Sequence, residues 1–274
     1  MKKICIFCFS GTGMTRYVVE KLKFGLEEQQ AQADIFDLAN TRIADVALES
    51  YDALGIAYPI HSFNAPKIVI DFARSLPQVN SLPAFIISTA GEYAAINFAA
   101  AKYVTRILHK KGFDVFYDRQ FIMPCNFIIK FDADKVQQLL SEISSQVPTA
   151  VQEIINGAPF KQQSNFLARM MTFVGRGEWF GAKIMAKFYY TNKDCTHCSI
   201  CADNCPNRNI SVGKDYVRFH WHCGLCMRCL YICPRKALKV RRPFRFICLD
   251  SWYDNEEINN LCKKFTSITA PPQR

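Results

Sequence analysis

Short apolar runs rich in β-branched and aromatic residues recur through the first 156 residues: KICIFCF at 3–9, ADIFDL at 33–38, DALGIAY at 52–58, AFIIST at 84–89 and DVFYDRQFI at 114–122. Between them lie longer segments of helical character, including TRYVVEKLKFGLEEQQ at 15–30 and AAINFAAAKYVTRILHKKG at 94–112. The latter ends in Lys110, Lys111 and Gly112, a basic last turn followed by a residue that tolerates the left-handed conformation. A last helix is predicted over roughly 134–155, before Gly157 and Pro159. The first and fourth runs are apolar on both faces, as strands covered by helices on each side must be. Five strands alternating with helices predict a doubly wound, five-stranded parallel α/β sheet.

From 158 to 192 the pattern changes. Phe166, Met170, Phe173 and Val174, then Phe180, Ile184 and Phe188, recur at helical spacing around the glycines of GRGEWFG, with Arg169, Arg176, Lys183 and Lys187 interspersed. A basic amphipathic element of this kind either packs across neighbouring domains or lies on a membrane surface. The first is the expectation, with peripheral membrane contact as the alternative. No run approaches the ~18 apolar residues of a membrane span. MKKICIFCF is short for a signal peptide and reads as a buried first strand, so a cytoplasmic location is expected.

The 13 cysteines change the picture, because eight fall into two compact runs. With an offset of 28, Cys195, Cys198, Cys201, Cys205 and Pro206 land on Cys223, Cys226, Cys229, Cys233 and Pro234, and Ile210 and Val212 on Leu238 and Val240. Nothing points to export, so metal ligation is favoured over disulfides. A zinc ribbon needs two Cys-x2-Cys knuckles and would leave a third cysteine surplus in each run. A cuboidal iron–sulfur cluster takes one ligand at each of four corners, and a tight triplet plus one distant cysteine supplies them. The stretch 191–240 resembles a bacterial two-cluster ferredoxin, in which the fourth cysteine of each run serves the other cluster. That resemblance implies Cys195, Cys198, Cys201 and Cys233 around a first 4Fe-4S cluster, and Cys223, Cys226, Cys229 and Cys205 around a second. His222, just before Cys223, is either an exposed imidazole or a donor near a cluster sulfur. Cys5, Cys8, Cys125, Cys248 and Cys262 fit neither run and read as free thiols.

SGTGMT at 10–15 joins the first strand directly to the first helix. Gly11 and Gly13 allow close backbone approach, and Ser10, Thr12 and Thr15 add hydroxyl donors at a helix N-terminus. The third glycine of a dinucleotide fingerprint and the Gly-Lys-Ser/Thr ending of a P-loop are both missing. A hydroxyl-rich loop without charge suits a single phosphate monoester such as that of FMN. The N-terminal half resembles a flavodoxin, whose loop is matched at Ser10, Thr12, Gly13 and Thr15, with Met14 in place of the usual asparagine. The resemblance implies flavin contacts from the loops after strands 3 and 4. Here those supply Tyr58, Pro59, Ile60, His61, Ser62, Phe63 and Asn64, then Thr89, Ala90, Gly91, Glu92 and Tyr93. Tyr58, Phe63 and Tyr93 are candidates to cover the ring, Asn64 and the Ala90–Gly91 backbone to bond its edge, and Glu92 to stand near it. His61 and Tyr93 are the candidates for catalysis.

The order of the two halves, with FNAP at 63–66 and MPCNF at 123–127, resembles the flavodoxin–ferredoxin fusion proteins of anaerobes over about 1–245. The expected organisation is a flavodoxin-like domain at 1–157, a basic connector at 158–190, a 2[4Fe-4S] domain at 191–241 and an extension at 242–274. Within the extension, Asp254 and Glu257 resemble a capping box opening a short helix. Charge is uneven: residues 1–156 hold 15 basic and 16 acidic side chains, net −1, and residues 157–274 hold 19 and 8, net +11. The expected function is electron transfer between two clusters and FMN, with an acidic ferredoxin- or flavodoxin-type partner steered by the basic half. The alternative is an FMN-dependent reductase of a small organic acceptor fed by the clusters. A nucleic-acid partner is not expected, because no basic run of five or six appears.

Overall fold

The computed structural model describes residues 1–92, 94–125 and 131–244. Its chain divides into two compact units. The first comprises Met1–Phe9, Met14–Pro124 and Asp132–Arg176, and the second contains Ser10–Gly13 and the chain from Gly177 onward. The division falls within the basic connector.

In the first unit, strands β1 (Lys3–Cys8), β2 (Gln32–Asp37), β3 (Ala53–Pro59), β4 (Leu82–Ala90), β5 (Phe113–Ile122) and β6 (Phe160–Lys161) form one parallel sheet in the order β2-β1-β3-β4-β5-β6. The first five follow the flavodoxin-like order 2-1-3-4-5. The sixth strand is a correction to the five expected. Its two exposed residues add to the edge of β5, where Arg119 and Tyr117 lie over or against Phe160.

Helices α1 (Met14–Glu28), α2 (Lys67–Ser75), α3 (Lys102–Lys110) and α4 (Ala133–Ile155) cover the sheet. β1 is buried at every position after Lys3, as its two-sided apolarity predicts. Phe7 stacks on Phe36 of β2 at 5.2 Å and packs on Phe72 of α2 at 4.6 Å. Burying each such side chain contributes about 1.5–3 kcal/mol. On the opposite face α1 turns Val18, Leu22 and Leu26 inward, and Gly25 lies so close to α4 that a Cβ there would meet Val151 at 2.8 Å. Asp132 caps α4 by accepting from the Lys135 N–H, and Glu153 at its far end accepts from Tyr117 and Arg119 of β5.

The predicted helix over 94–112 is shorter than its pattern suggests. Ala95–Asn97 forms a 3-10 turn, and regular helix begins only at Lys102. It stops where predicted, with Gly112 at φ +85° and its would-be Cβ against the Val79 carbonyl. The connector also departs from expectation. In α5 (Phe166–Val174) only Ala168 and Thr172 are buried, while Phe166 and Phe173 are 81% and 69% exposed. The apolar stripe expected there is thus uncovered along α5.

The second unit continues with α6 (Glu178–Met185), β7 (Tyr189–Thr191), α7 (Ile200–Asp203), β8 (Ile210–Val212), β9 (Val217–Phe219), α8 (Arg228–Tyr231) and β10 (Leu238–Val240). From β7 onward the strands and helices repeat at the offset of 28 found in the cysteines. The repeats are interlocked, because β7 pairs antiparallel with β10 and β8 with β9, so each two-stranded sheet takes one strand from each copy. Leu230, Leu238, Tyr189, Ile210 and Phe219 form their shared core. Among the described residues no helix is long and apolar enough to cross a membrane.

One buried group sets a pH response. Burial pushes the Asp118 carboxyl of β5 up to about 7, although Lys102 and Lys161 pull it down. The folded form then binds a proton that the unfolded chain has released, so stability falls as pH rises from about 4 to 7, by on the order of 1 kcal/mol per unit, and levels off above. Denaturant midpoints followed by circular dichroism should decline across pH 5–7 in the native protein and stay flat in Asp118→Asn. Equal slopes in both would contradict this assignment.

Candidate functional site

The loop after β1 is built for close approach. Ser10 is buried, and its hydroxyl accepts from the N–H of Gly13, which stands at φ +93°. A side chain at Gly13 would be strained. Met14 opens α1, whose first turn carries no acidic residue. The Thr15 hydroxyl is buried and shares a 2.8 Å hydrogen bond with that of Thr89 at the end of β4. A helix start without acidic residues in its first turn, entered by a hydroxyl-bearing glycine loop, has the chemistry that suits a phosphate monoester. Within the second unit the same loop is pinned from behind. The Ser10 carbonyl accepts from Arg228 Nη2 at 2.9 Å, and a Cβ on Gly11 would lie 1.8 Å from the Cys226 carbonyl oxygen.

The loops after β3 and β4 leave the same edge of the sheet. The Ile60 N–H donates to the Thr89 carbonyl, and the Met123 N–H to that of Ala90. Residues 61–64 make a tight turn in which His61 and Asn64 exchange both backbone hydrogen bonds. Ser62 and Phe63 both have positive φ, 44° and 65°, a pairing that non-glycine residues rarely adopt. The connector clamps this turn. Asn64 Nδ2 donates to the Thr172 carbonyl, the Thr172 hydroxyl donates to the Phe63 carbonyl, and a Cβ on Gly175 would strike the Ser62 carbonyl at 1.8 Å.

Two flavin assignments are corrected by this geometry. Asn64 is fully buried, with its amide committed to Thr172 and to the Ala65 N–H, so it anchors the turn instead of bonding a ring edge. Tyr58 is wholly inside the core, where its hydroxyl finds no hydrogen-bond partner among the described residues, and it covers no ligand face. Pro59, Ile60, His61 and Phe63 are part-exposed, Ser62 and Glu92 exposed, and Ala90 and Gly91 part-exposed at the same rim. Tyr93 lies outside the described residues.

In the second unit the structure gathers the eight cysteines into two sets. Cys195, Cys198, Cys201 and Cys233 line one small cavity, with Val212, Val217 and Leu238. Cys205, Cys223, Cys226 and Cys229 line another, with Tyr189, Ile210 and Phe219. Each set takes three cysteines from one repeat and the fourth from the other. Burial, together with neighbouring thiols, pushes Cys201 and Cys223 up to about 12 and also raises Cys226 and Cys229. Such crowded thiols resist ionising together unless a cationic centre lies between them. Among the described residues no group of three or more His, Cys, Asp or Glu side chains is placed to hold a metal ion.

The backbone around the cavities repeats as strictly as the cysteines. His197, Ser199 and Arg208 have positive φ, and so do Leu225, Met227 and Lys236, each 28 residues on. Six non-glycine residues in this region, placed in register, indicate conformations imposed by a common requirement. The turns aim N–H groups at sulfur: Asn209 at Cys205 (3.2 Å), Ala237 at Cys233 (3.3 Å) and Leu225 at Cys223 (3.3 Å).

His222 is exposed, and its backbone N–H is held by Asn209 Oδ1. Cys5 and Cys8 are buried, whereas Cys248 and Cys262 lie outside the described residues, as do Asp254 and Glu257. Four contributors escaped the sequence reading: Asn209, Arg228, Thr172 and Tyr189. Only the repeat offers a signal for any of them, since Arg228 and Tyr189 stand where the other copy has Ile200 and Val217.

No family model matches the chain, and no curated relative does. Solved structures similar to it include a Fusobacterium nucleatum flavodoxin bound to flavin mononucleotide, at 16% identity and a TM-score of 0.41, over 57% of this chain and 98% of that one. A Pseudomonas aeruginosa flavodoxin carrying one cysteine-to-serine substitution superposes at 12% identity and TM-score 0.40, covering 55% and 97%. The flavodiiron protein of Giardia intestinalis superposes at 18% and 0.36, covering 58% of this chain and 38% of its own. The strand order, described above, carries the fold.

The clamp on the turn is open to test. Asn64→Ala leaves the Thr172 carbonyl and the Ala65 N–H without their partner, which should cost about 1–3 kcal/mol in chemical denaturation. A change below about 0.5 kcal/mol would show that the amide is not holding the turn.

Proposed function

We propose that the protein is an electron-transfer flavo-iron–sulfur protein, with FMN on the loop after β1 and a 4Fe-4S cluster in each cysteine-lined cavity. The observation that carries this reading is the pair of matched cavities, each framed by four thiols and by repeated positive-φ turns. Three cysteines in one tight run plus a fourth from the other repeat suit a centre with a metal at each of several corners better than a lone tetrahedral ion, which would leave a cysteine of each run surplus. When bound, the clusters supply one-electron steps and the flavin accepts one electron or two.

The chain's own groups have separable tasks. The cysteines of each cavity hold the cluster as thiolates, and the N–H groups of Asn209, Leu225 and Ala237 stabilise charge on sulfur. Val212, Val217, Ile210 and Phe219 exclude water from the cavities. Ser10–Thr15 takes the phosphate, and Gly13 keeps the loop tight enough to do so. The net charge of +11 over residues 157–274 favours an acidic redox protein as donor or acceptor, with a small-molecule acceptor as the alternative.

The test is anaerobic reconstitution, assay of iron, acid-labile sulfide and flavin, then reductive titration followed by absorbance and EPR. The reading expects about eight irons, about eight sulfides and one FMN per chain. Stoichiometric zinc with no sulfide, or no flavin, would overturn it. A flavin that is reoxidised by small acceptors and not by acidic ferredoxins would transfer the assignment to the reductase.

A further inference from the structure

The two cavities are built by one repeat, yet their linings differ: the first carries Thr196, Ser199, Arg235 and Val217 where the repeat mates in the second are Gly224, Met227, Asn207 and Tyr189. Tyr189 lines the second cavity, and its repeat mate, Val217, lines the first. The Tyr189 side chain is 6% exposed, packed edge-on against Phe219 at 5.6 Å, and its hydroxyl has no hydrogen-bond partner among the described residues. A buried hydroxyl without a partner costs free energy unless something absent from the protein accepts from it. The nearby groups with which it interacts electrostatically are the thiols of Cys223, Cys229 and Cys226. Arg228 supplies a further difference. Its buried guanidinium acts on Cys226, whereas the mate in the first repeat is Ile200, which lines the first cavity.

Resting on the iron–sulfur reading, we propose that the two clusters are tuned apart by these substitutions. The Tyr189 hydroxyl donates to a sulfur of the second cluster, the Arg228 charge stands beside its Cys226 ligand, and the first cluster has Val217 and Ile200 instead. A donor or a positive charge near sulfur favours the reduced, more negative state. Tyr189 and Arg228 therefore raise the reduction potential of the second cluster above the value it would have without them. Tyr189 acts on the cluster by positioning a proton, and Arg228 by its fixed charge.

Tyr189→Phe removes one oxygen and keeps the ring. It should load with the same iron and sulfide as the native protein, and EPR-monitored redox titration should show one midpoint shifted to lower potential and the other unmoved. Cys198→Ser, which alters a ligand of the first cluster, identifies that cluster's signal. The midpoint lowered by Tyr189→Phe must be the other one. Arg228→Gln should lower the same midpoint, and if it fails to load, Tyr189→Phe alone decides. Two unmoved midpoints in fully loaded Tyr189→Phe would overturn the proposal, as would a shift in the first cluster's signal. Native protein without iron and sulfide would instead overturn the reading beneath it.

Discussion

Four cysteines gathered around one cavity ionise together only if a cationic centre balances their charge, and this chain gathers four twice with a 28-residue repeat. The strands decide how. Because β7 pairs with β10 and β8 with β9, neither copy completes a sheet alone, and each carries its last cysteine across to the other copy's cavity. Crossed strands and crossed ligands are thus one arrangement. The positive-φ turns at 197, 199 and 208, and at 225, 227 and 236, are its backbone cost, which cluster binding would offset.

The loop after β1 depends on the same region. Ser10–Gly13 belongs to the second compact unit, where α8 supplies the Arg228 donor to the Ser10 carbonyl and the turn before it the Cys226 carbonyl that Gly11 must clear. Gly11 is therefore required for a reason other than ligand approach, since any side chain there would collide with backbone. The turn at 61–64 is supported in a comparable way by Thr172 and Gly175 of the connector region. The apolar residues of α5 do not serve this clamp. Phe166 and Phe173 remain largely exposed, and the contacts to the turn come from its small and polar positions.

What the sequence made legible followed periodicity and spacing. Alternating apolar runs gave the strands and the order of elements, and Gly112 marked the end of α3. The cysteine offset divides the eight thiols as the two cavity linings do, because cysteine spacing is a local property that the repeat doubles. Residues whose roles depend on long-range contacts were not legible. Asn64 resembled a ligand contact because it sits in the right loop, but its partner is 108 residues away. Tyr58 resembled a ring cover, yet it occupies a strand position that faces the core. Arg228 carried no signal of its own, since its partner, Ser10, lies 218 residues earlier. The two-residue β6 is too short to leave a periodic trace.

The crossing of ligands between repeats is the central claim, and Cys205→Ser tests it most directly. Cys205 lies in the first cysteine run but lines the second cavity. In anaerobically reconstituted protein, the account predicts that Cys205→Ser perturbs the same EPR signal as Cys226→Ser and leaves intact the one altered by Cys198→Ser. If Cys205→Ser instead matches Cys198→Ser, each run holds its own centre and the crossed arrangement is wrong.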